Sequence, residues 1–306
     1  MSSPGSSGSG ALAGRVCLVS GANGGMGRVI ATELARQGAQ VTVVCRTAQS
    51  GQDVRRHVEG STGAHVEVLV ADLSRQREVR GLAEQFTARH DTLHVLVNNA
   101  GAHFRERLVS HDGIEMHLAV DHLAGFLLTN LLRPLLEAGA PSRVVNIVSD
   151  TISDTRQIKI RRRPRPATLD FANLQSESSF TPMIAYGQAK LATLMCGYVL
   201  ADQLEGSGVT VNAVHPGIVD TGIVSAVAPK AAAPFLGVLR RFLLTPEQGA
   251  QAALHLATAP ELATVTGRYF VKQDERRSPP ISHDPTAQQQ IWRLSSELTG
   301  RIGGHL

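Results

Sequence analysis

Short apolar runs alternate with longer helical patterns along most of the chain. Apolar residues recur at helical spacing in MGRVIATELARQG, for example, which lies between two Val-rich runs. Strands that alternate in this way with helices of a dozen residues or more are typical of βαβ units around a buried parallel sheet. Helices are predicted at 26–38, 77–90, near 113–139 and at 287–300, and strands at 15–20, 40–45, 65–70, 93–99, 142–149, 209–215 and 267–271.

The order of these elements predicts an α/β fold, a doubly wound Rossmann arrangement in which helices cover both faces of a parallel sheet of about seven strands. No repeat or linker divides residues 15–275, so we expect one domain there, followed by a C-terminal extension at 276–306. Residues 1–14 are rich in Ser and Gly and predict a flexible N-terminal tail. The helix in the extension carries the only tryptophan, and it either covers a pocket or packs against another subunit of a homodimer or homotetramer.

Composition and charge narrow the class of protein. The chain has 306 residues, of which 42% are hydrophobic, so it can bury a large core. Its formal net charge is +4. Its three cysteines lie in apolar segments without metal-ligand spacing, which predicts reduced thiols and no metal site. Neither a signal peptide nor an apolar run of about 18 residues is present. We therefore expect a cytoplasmic protein without a membrane partner.

A glycine-rich turn follows the first predicted strand. It reads SGANGGMG and leads directly into a helix. Glycine lets the backbone turn tightly and lets N–H groups approach a pyrophosphate at a helix N-terminus. Because the turn joins the first strand to the first helix of a βαβ unit, it predicts a dinucleotide cofactor. The residues expected to contact the cofactor here are Gly21, Asn23, Gly25, Met26 and Gly27.

The end of the second predicted strand distinguishes between the two nicotinamide cofactors. A carboxylate there would bind the ribose 2′-hydroxyl of NAD. The chain instead has Cys45 followed by Arg46, and a guanidinium suits a 2′-phosphate far better than a neutral hydroxyl. We therefore predict NADP(H) as the cofactor and Arg46 as its phosphate ligand. A solvated loop arginine is the alternative.

One tyrosine and one lysine stand four residues apart in IAYGQAKLATL. If this stretch is helical, the Tyr186 phenol and the Lys190 ammonium share a face. A nearby positive charge favours the phenolate and lowers the pKa of the phenol from its ordinary value of about 10. The pair is thus a candidate for proton transfer near neutral pH. A phenol buried in a helical core beside a solvated lysine is the alternative.

Together with three further motifs, this pair resembles the short-chain dehydrogenase/reductase family, and the resemblance extends over nearly the whole chain after the tail. The glycine loop, NNAG at 98–101, the serine at 149 and Tyr186-x-x-x-Lys190 follow one another in the family's order, and HPG at 215–217 comes after the sixth strand. Segments such as GIEMHLAVDHLAGFLLTNLL and VNAVHPGIVDT are similar to the retinol-dehydrogenase-type branch, which has a longer insertion before the catalytic helix.

The resemblance implies a role for each matching residue. Tyr186 would exchange a proton with the substrate oxygen, Lys190 would lower the pKa of Tyr186 and bind the nicotinamide ribose, and Ser149 would polarise the carbonyl. The cofactor carries the hydride. Its other contacts would be Asp72 and Leu73 at the adenine, Asn99, Ala100 and Gly101 at the adenosine ribose, Pro216 and Gly217 of the HPG motif, and Val219 and Thr221 at the carboxamide end.

One position departs from the family pattern. The family usually has an asparagine in the fourth helix, where a polar side chain supports a water relay to the lysine, but AVDHLAGF places Asp121 there. Aspartate keeps an oxygen acceptor, loses two donors and adds a charge near Lys190. Either the relay survives with a shifted pH optimum, or the site is weakened or repurposed. A helix-capping or surface role for Asp121 is a further alternative.

The insertion at about 151–183 lies between Ser149 and Tyr186 and should border the entrance of the active site. It holds a cluster of basic residues without interleaved aromatic side chains, so we do not expect a nucleic-acid partner. We hypothesise that the cluster steers an anionic or carrier-bound substrate, and a solvated basic loop is the alternative. Its residues are Arg156, Lys159, Arg161, Arg162, Arg163 and Arg165.

These features predict an NADP(H)-dependent carbonyl reductase or alcohol dehydrogenase. The expected substrate is a hydrophobic or polyketide-like small molecule with a ketone or secondary alcohol, and the expected setting is bacterial secondary metabolism. Two alternatives stay open: a non-redox cyclase, dehydratase or epimerase that retains bound cofactor, and a nucleotide-sensing interaction protein with a relic site. The intact Ser149, Tyr186 and Lys190 argue against the sensor.

Overall fold

A computed structural model describes residues 10–156, 163–220 and 243–300, and the strands in these ranges form one eight-stranded sheet. The strands are β1 (Val16–Ser20), β2 (Gln40–Cys45), β3 (Val66–Val70), β4 (Val95–Asn98), β5 (Ser142–Ile147), β6 (Val209–His215), β7 (Arg268–Val271) and β8 (Asp274–Arg276). They lie in the order β3-β2-β1-β4-β5-β6-β7-β8. All neighbours pair in parallel except β7 and β8, which are antiparallel.

The strand order reverses direction beside β1, which confirms the doubly wound fold. From β1 the chain proceeds outwards to β2 and β3, and then returns to place β4 on the other side of β1. In open α/β sheets such a reversal leaves a crevice at the carboxyl ends of the strands, where ligands bind.

The helices are α1 (Gly25–Arg36), α2 (Ala48–Thr62), α3 (Gln76–Thr87), α4 (Met116–Leu118), α5 (Ala124–Leu131), α6 (Arg133–Ala138), α7 (Pro182–Gln203), α8 (Pro246–Thr258) and α9 (Pro285–Leu298).

Both faces of the sheet are buried, as the continuous apolar runs predicted. Alternate residues of β1 point to opposite faces, so Cys17 and Val19 join the core beneath α1, which includes Leu34. Leu18 joins the opposite core with Phe86 of α3. This double burial explains why the strands lack the polar alternation of a half-exposed sheet.

The prediction of one long helix near 113–139 was wrong. The segment consists of α4, a π-helical turn at Ala119–Leu123, then α5, and finally α6 after a break at Leu132. Pro134 lies in the first turn of α6, where its missing N–H breaks no helical hydrogen bond. The apolar pattern predicts the buried face of this segment, but the interruptions depend on backbone hydrogen bonding.

The C-terminal end of the domain contains one strand that was not predicted and the helix that was predicted at 287–300. The exposed strand β8 was not predicted, because its three residues are all charged. Helix α9 begins at Pro285, where the Asp284 carboxylate accepts hydrogen bonds from the first amides. The helix packs against α7, and its Trp292 ring lies edge-on to Phe126 at 4.9 Å between centroids. It therefore packs on its own domain.

The remaining expectations concern the tail, the cysteines and the membrane. Residues 10–14 were predicted to belong to the tail, but the amide of Leu12 donates to the Gln37 carbonyl at 2.9 Å, so these residues belong to the folded part. Residues 1–9 lie outside the described ranges. The three cysteines are free and buried, in line with their place in apolar segments. Within the described ranges, no helix is both long and apolar enough to cross a membrane.

Candidate active site

The glycine loop lies against the end of β4 with no room for a side chain at two positions. Gly21 has φ +65°, and a Cβ there would come within 2.6 Å of the Ala100 Cα. A Cβ on Gly27 would lie 2.4 Å from the Gly21 carbonyl oxygen and 2.5 Å from Asn99 Nδ2. Only glycine fits this close approach without moving the backbone.

Side chains from two neighbouring strands fasten the loop. Asn99 Nδ2 donates to the carbonyl oxygens of Ser20 at 2.9 Å and Gly21 at 3.0 Å. In return, the amides of Asn99 and Ala100 both donate to Ser20 Oγ at 3.1 Å. The side chain of Asn99 thus holds the loop in place, a role that the sequence motif did not indicate.

The first turn of α1 offers unpaired amides to an anion. Gly24 precedes the helix without a side-chain cap, and the first turn contains no acidic residue. Such a helix N-terminus attracts negative charge through its N–H groups and its dipole. Among the other predicted loop residues, Gly25 has φ +51° and Asn23 is exposed, whereas Met26 is buried against α8 beside Gly249.

Arg46 and Asp72 follow β2 and β3 at the same edge. The amide of Ala22 donates to the Val44 carbonyl at 3.2 Å, which places the glycine loop beside the end of β2. Arg46 follows two residues later and its side chain is exposed. The Asp72 carboxylate accepts hydrogen bonds from the amide and hydroxyl of Ser74 at 3.0 and 2.8 Å. Leu73 is half-buried.

Tyr186, Lys190 and Ser149 come together where α7 passes the end of β5. Tyr186 and Lys190 share one face of α7 and are only 6% and 3% exposed. The Ser149 side chain is close enough to the Tyr186 phenol to act on its pKa. Lys190 Nζ lies 5.8 Å from the Tyr186 ring centre and donates to the Ile147 carbonyl at 3.2 Å. The predicted triad is therefore assembled, with its lysine buried.

Asp121 lies in the π-helical turn, and its buried carboxylate faces Lys190. Its Oδ1 accepts a hydrogen bond from the Ala102 amide at 2.9 Å and lies 3.5 Å from Lys190 Nζ. Its Oδ2 is buried and has no hydrogen-bond partner among the described residues. Burial raises the pKa of Asp121, although the positive charge of Lys190 opposes the shift. This placement rules out the surface and capping alternatives.

The prediction that Lys190 lowers the pKa of Tyr186 is not met by this arrangement. Burial raises the pKa of Tyr186, and the negative charge of Asp121 raises it further. The neighbouring Ser149 side chain lowers the pKa of Tyr186 and so acts in the opposite direction. Because the Asp121 carboxylate lies beside the Lys190 ammonium, it offsets the positive charge that would otherwise favour the phenolate.

The segment after β6 passes close to the glycine loop. Pro216 is buried, and Gly217 has φ +98°. Val219 is also buried, and a Cβ on Gly249 of α8 would meet its side chain at 2.4 Å. Val219 therefore packs in the core beneath the loop. The predicted contact at Thr221 lies outside the described residues.

The basic insertion is only partly described. The guanidinium of Arg156 pairs with the Asp154 carboxylate, with 2.6 Å between Nη2 and Oδ2. Arg163 and Arg165 are exposed. Lys159, Arg161 and Arg162 lie outside the described residues. Substrate steering by this cluster stays a hypothesis, and Arg156 already has a carboxylate partner.

Two histidines beside Tyr186 were missed by the sequence analysis. The His103 ring lies edge-on to the Tyr186 ring at 5.6 Å between centroids, and the His117 ring lies 5.9 Å from it. His103 comes two residues after Gly101, at the carboxyl end of β4, and this position was the available signal. His117 lies in a helix, and nothing in its spacing indicates the site.

Comparisons with known proteins agree with this geometry. The family model for short chain dehydrogenases matches residues 15–157, and the model described as enoyl-(acyl carrier protein) reductase matches residues 164–272. Retinol dehydrogenase 11 from Homo sapiens is 36% identical over 291 residues, which cover 94% of this chain and 87% of that protein. Retinol dehydrogenase 12 from Bos taurus is 37% identical over 294 residues with the same coverage.

Solved structures share the fold over most of the chain. An uncharacterized protein from Mycobacterium paratuberculosis has a TM-score of 0.73 and 27% identity over 94% of both chains. The RhlG/NADP active-site complex from Pseudomonas aeruginosa has a TM-score of 0.65 and 28% identity, covering 85% of this chain and 95% of that one. On its sequence motifs, its sheet and these relatives, the chain belongs to the short-chain dehydrogenase/reductase family of oxidoreductases.

Proposed function

We propose that the protein interconverts a ketone and a secondary alcohol on a hydrophobic or polyketide-like small molecule, with NADP(H) as the cofactor. The observation that carries the proposal is the buried Tyr186 phenol, which has the Ser149 hydroxyl as a neighbour and lies on the same helix face as Lys190. A buried phenol beside a second hydroxyl is suited to deliver a proton to one substrate oxygen. The retinol dehydrogenases among its relatives support a hydrophobic alcohol or carbonyl as the substrate.

The residues at the switch in strand order fit a dinucleotide. The glycine loop and the uncapped start of α1 present amides to a pyrophosphate. Exposed Arg46 can bind a ribose 2′-phosphate, and Ala100 and Gly101 border the path from the loop towards Lys190. The NADP complex of RhlG supports the same cofactor here. When bound, the cofactor supplies or accepts the hydride.

Tyr186 acts as the proton donor when the carbonyl is reduced. Because burial and Asp121 raise the pKa of Tyr186, the phenol is protonated at neutral pH and can donate. Ser149 donates a hydrogen bond to the same substrate oxygen as negative charge develops there. The Lys190 ammonium then stabilises the phenolate that remains.

Asp121 serves this site as a positioning residue. Its Oδ1 lies 3.5 Å from Lys190 Nζ, and its Oδ2 has no partner in the described part of the chain. Asp121 and Lys190 line one small interior cavity together with Asn98 and Thr193. A water molecule hydrogen-bonded to these side chains would belong to a relay through Lys190 that returns a proton to the Tyr186 phenolate after each reduction.

The experiment is a panel of ketones assayed by the loss of NADPH absorbance. We expect turnover of hydrophobic ketones by the unmodified protein and at least about a hundredfold lower kcat in Tyr186→Phe. Tyr198→Phe is the matched control, because Tyr198 bonds to Ser278 and lies twelve residues along α7, about 18 Å from Tyr186. It should retain full turnover.

The outcomes separate this proposal from its alternatives. Product formed without oxidation of NADPH would indicate a non-redox enzyme. Cofactor binding without any product across the panel would favour a nucleotide-sensing protein. Equal kcat in Tyr186→Phe and the unmodified protein would remove the proposed proton donor.

A further inference from the structure

The imidazole of His103 is an unexplained polar group beside the proposed proton donor. Its ring lies 5.6 Å from the Tyr186 ring between centroids, at an interplanar angle of 85°. Its Nδ1 is buried and has no hydrogen-bond partner among the described residues. Burying a polar nitrogen without a hydrogen-bond partner is unfavourable, so such a group calls for an explanation.

The neighbouring histidine cannot satisfy His103. His117 Nε2 accepts a hydrogen bond from the Phe104 amide at 3.0 Å, and its Nδ1 bonds to Glu115 Oε1 at 2.8 Å. Since a backbone amide can only donate, Nε2 carries no proton and Nδ1 donates to the carboxylate. Both nitrogens of His117 are therefore engaged, although its ring lies only 5.3 Å from that of His103.

The other rings at this position are apolar. Phe104 and Phe180 both contact the His117 ring, at 5.1 and 6.0 Å between centroids. Burial, then His117 and Arg105, lower the pKa of His103 to about 4. The imidazole is therefore neutral at physiological pH and has one N–H donor and one acceptor nitrogen. It is a neutral polar group at the edge of an aromatic surface.

We propose that His103 binds a second oxygen of the substrate, close to the carbonyl that Tyr186 protonates. The inference rests on the proposed function and narrows its substrate class to ketones with a nearby hydroxyl or carbonyl group, such as β-hydroxy ketones that bear an apolar or aromatic substituent. Simple alkyl ketones offer no hydrogen-bonding group to the half-buried imidazole. A site built to bind a substrate hydroxyl discriminates strongly against an analogue that lacks it.

The test compares two ketones that differ only by a hydroxyl in place of a methyl group, 4-hydroxy-4-phenylbutan-2-one and 4-phenylpentan-2-one. The unmodified protein should favour the hydroxy ketone in kcat/KM by about tenfold or more, the value of one hydrogen bond. His103→Leu should abolish the preference by lowering kcat/KM for the hydroxy ketone alone. His103→Asn, which keeps a donor, should restore part of it. His57→Leu, on the exposed face of α2, is the control and should behave like the unmodified protein.

Binding provides a readout that does not depend on turnover. Isothermal titration of the Tyr186→Phe protein with both ketones, in the presence of NADP, should show tighter binding of the hydroxy ketone, and adding His103→Leu should remove the difference. If the binding preference is present but no ketone is reduced, the proposed function fails and the role of His103 stands. Equal affinity for the two ketones, or equal losses for both in His103→Leu, would overturn the inference.

Discussion

The glycine loop and the Tyr186 cluster lie at the same edge of the sheet but depend on different physical properties. The loop is held by backbone hydrogen bonds and by Asn99, and it contains no ionisable side chain. The cluster buries the carboxylate of Asp121 and the ammonium of Lys190 together. Steric room therefore decides whether the loop forms, whereas the balance of charge decides how the cluster titrates. Substitutions in the loop should act as all-or-none changes, and those in the cluster as graded, pH-dependent ones.

The largest effect should come from Gly21→Ala in the loop. The new Cβ would lie 2.6 Å from the Ala100 Cα, and the left-handed φ of +65° adds about 1–2 kcal/mol of strain. We expect NADPH binding to weaken by more than about a hundredfold, measured by fluorescence titration, because about 1.4 kcal/mol is a tenfold change. Gly60→Ala, in an open part of α2, should leave binding unchanged. Unchanged affinity in Gly21→Ala would show that the loop does not bind the cofactor.

Gly101→Ala should have the next largest effect, because Gly101 lies between the glycine loop and the Tyr186 cluster. Its Cβ would lie 2.8 Å from Asp121 Oδ1 and 3.2 Å from Lys190 Nζ, so the ion pair must move. A displacement of about 1 Å at a reacting group can lower a rate about a hundredfold. We expect a loss of kcat of that order, with little change in Tm, and Gly81→Ala in open space is the control. Full activity would mean that the pair is not positioned for catalysis.

Arg46→Ala tests the charged part of the cofactor site. Loss of a charge-assisted hydrogen bond to a 2′-phosphate should lower the preference for NADPH over NADH by about 10–100-fold. Steady-state kinetics with both cofactors measure this ratio. Arg56→Ala, another exposed arginine nearby in sequence, should leave it unchanged. An unchanged ratio in Arg46→Ala would show that other residues of the site determine the preference for one cofactor.

The smallest change in rate, but the most informative about charge, should come from Asp121→Asn. Alcohol oxidation requires the deprotonated phenol of Tyr186, so its rate rises with pH through the pKa of this group. The Asp121 carboxylate raises that pKa, and its removal should therefore move the rising limb of the pH–rate profile to lower pH. Asp150→Asn should shift the limb in the same direction but less. A shift to higher pH would show that Asp121 acts through protein structure rather than through its charge.

Parts of both regions were predictable because local patterns specify them. The glycine spacing after β1 and the four-residue spacing of Tyr186 and Lys190 depend only on strand, turn and helix geometry, and the structure has each element where the pattern places it. The π-helical turn that directs Asp121 towards Lys190 has no such signal. The direction of the Tyr186 pKa shift could not be predicted from the sequence either, because it depends on burial and on a carboxylate 65 residues away in sequence.

By itself, the sequence determined the doubly wound sheet, the position of the glycine loop and the membership of the family, because periodicity and motif order are properties of neighbouring residues. Only the tertiary structure decided that Asn99 holds the loop, that Asp121 is buried against Lys190, and that His103 lies beside Tyr186 without a partner in the described ranges. These contacts join distant parts of the chain, and their energies depend on burial, which spacing along the sequence does not specify.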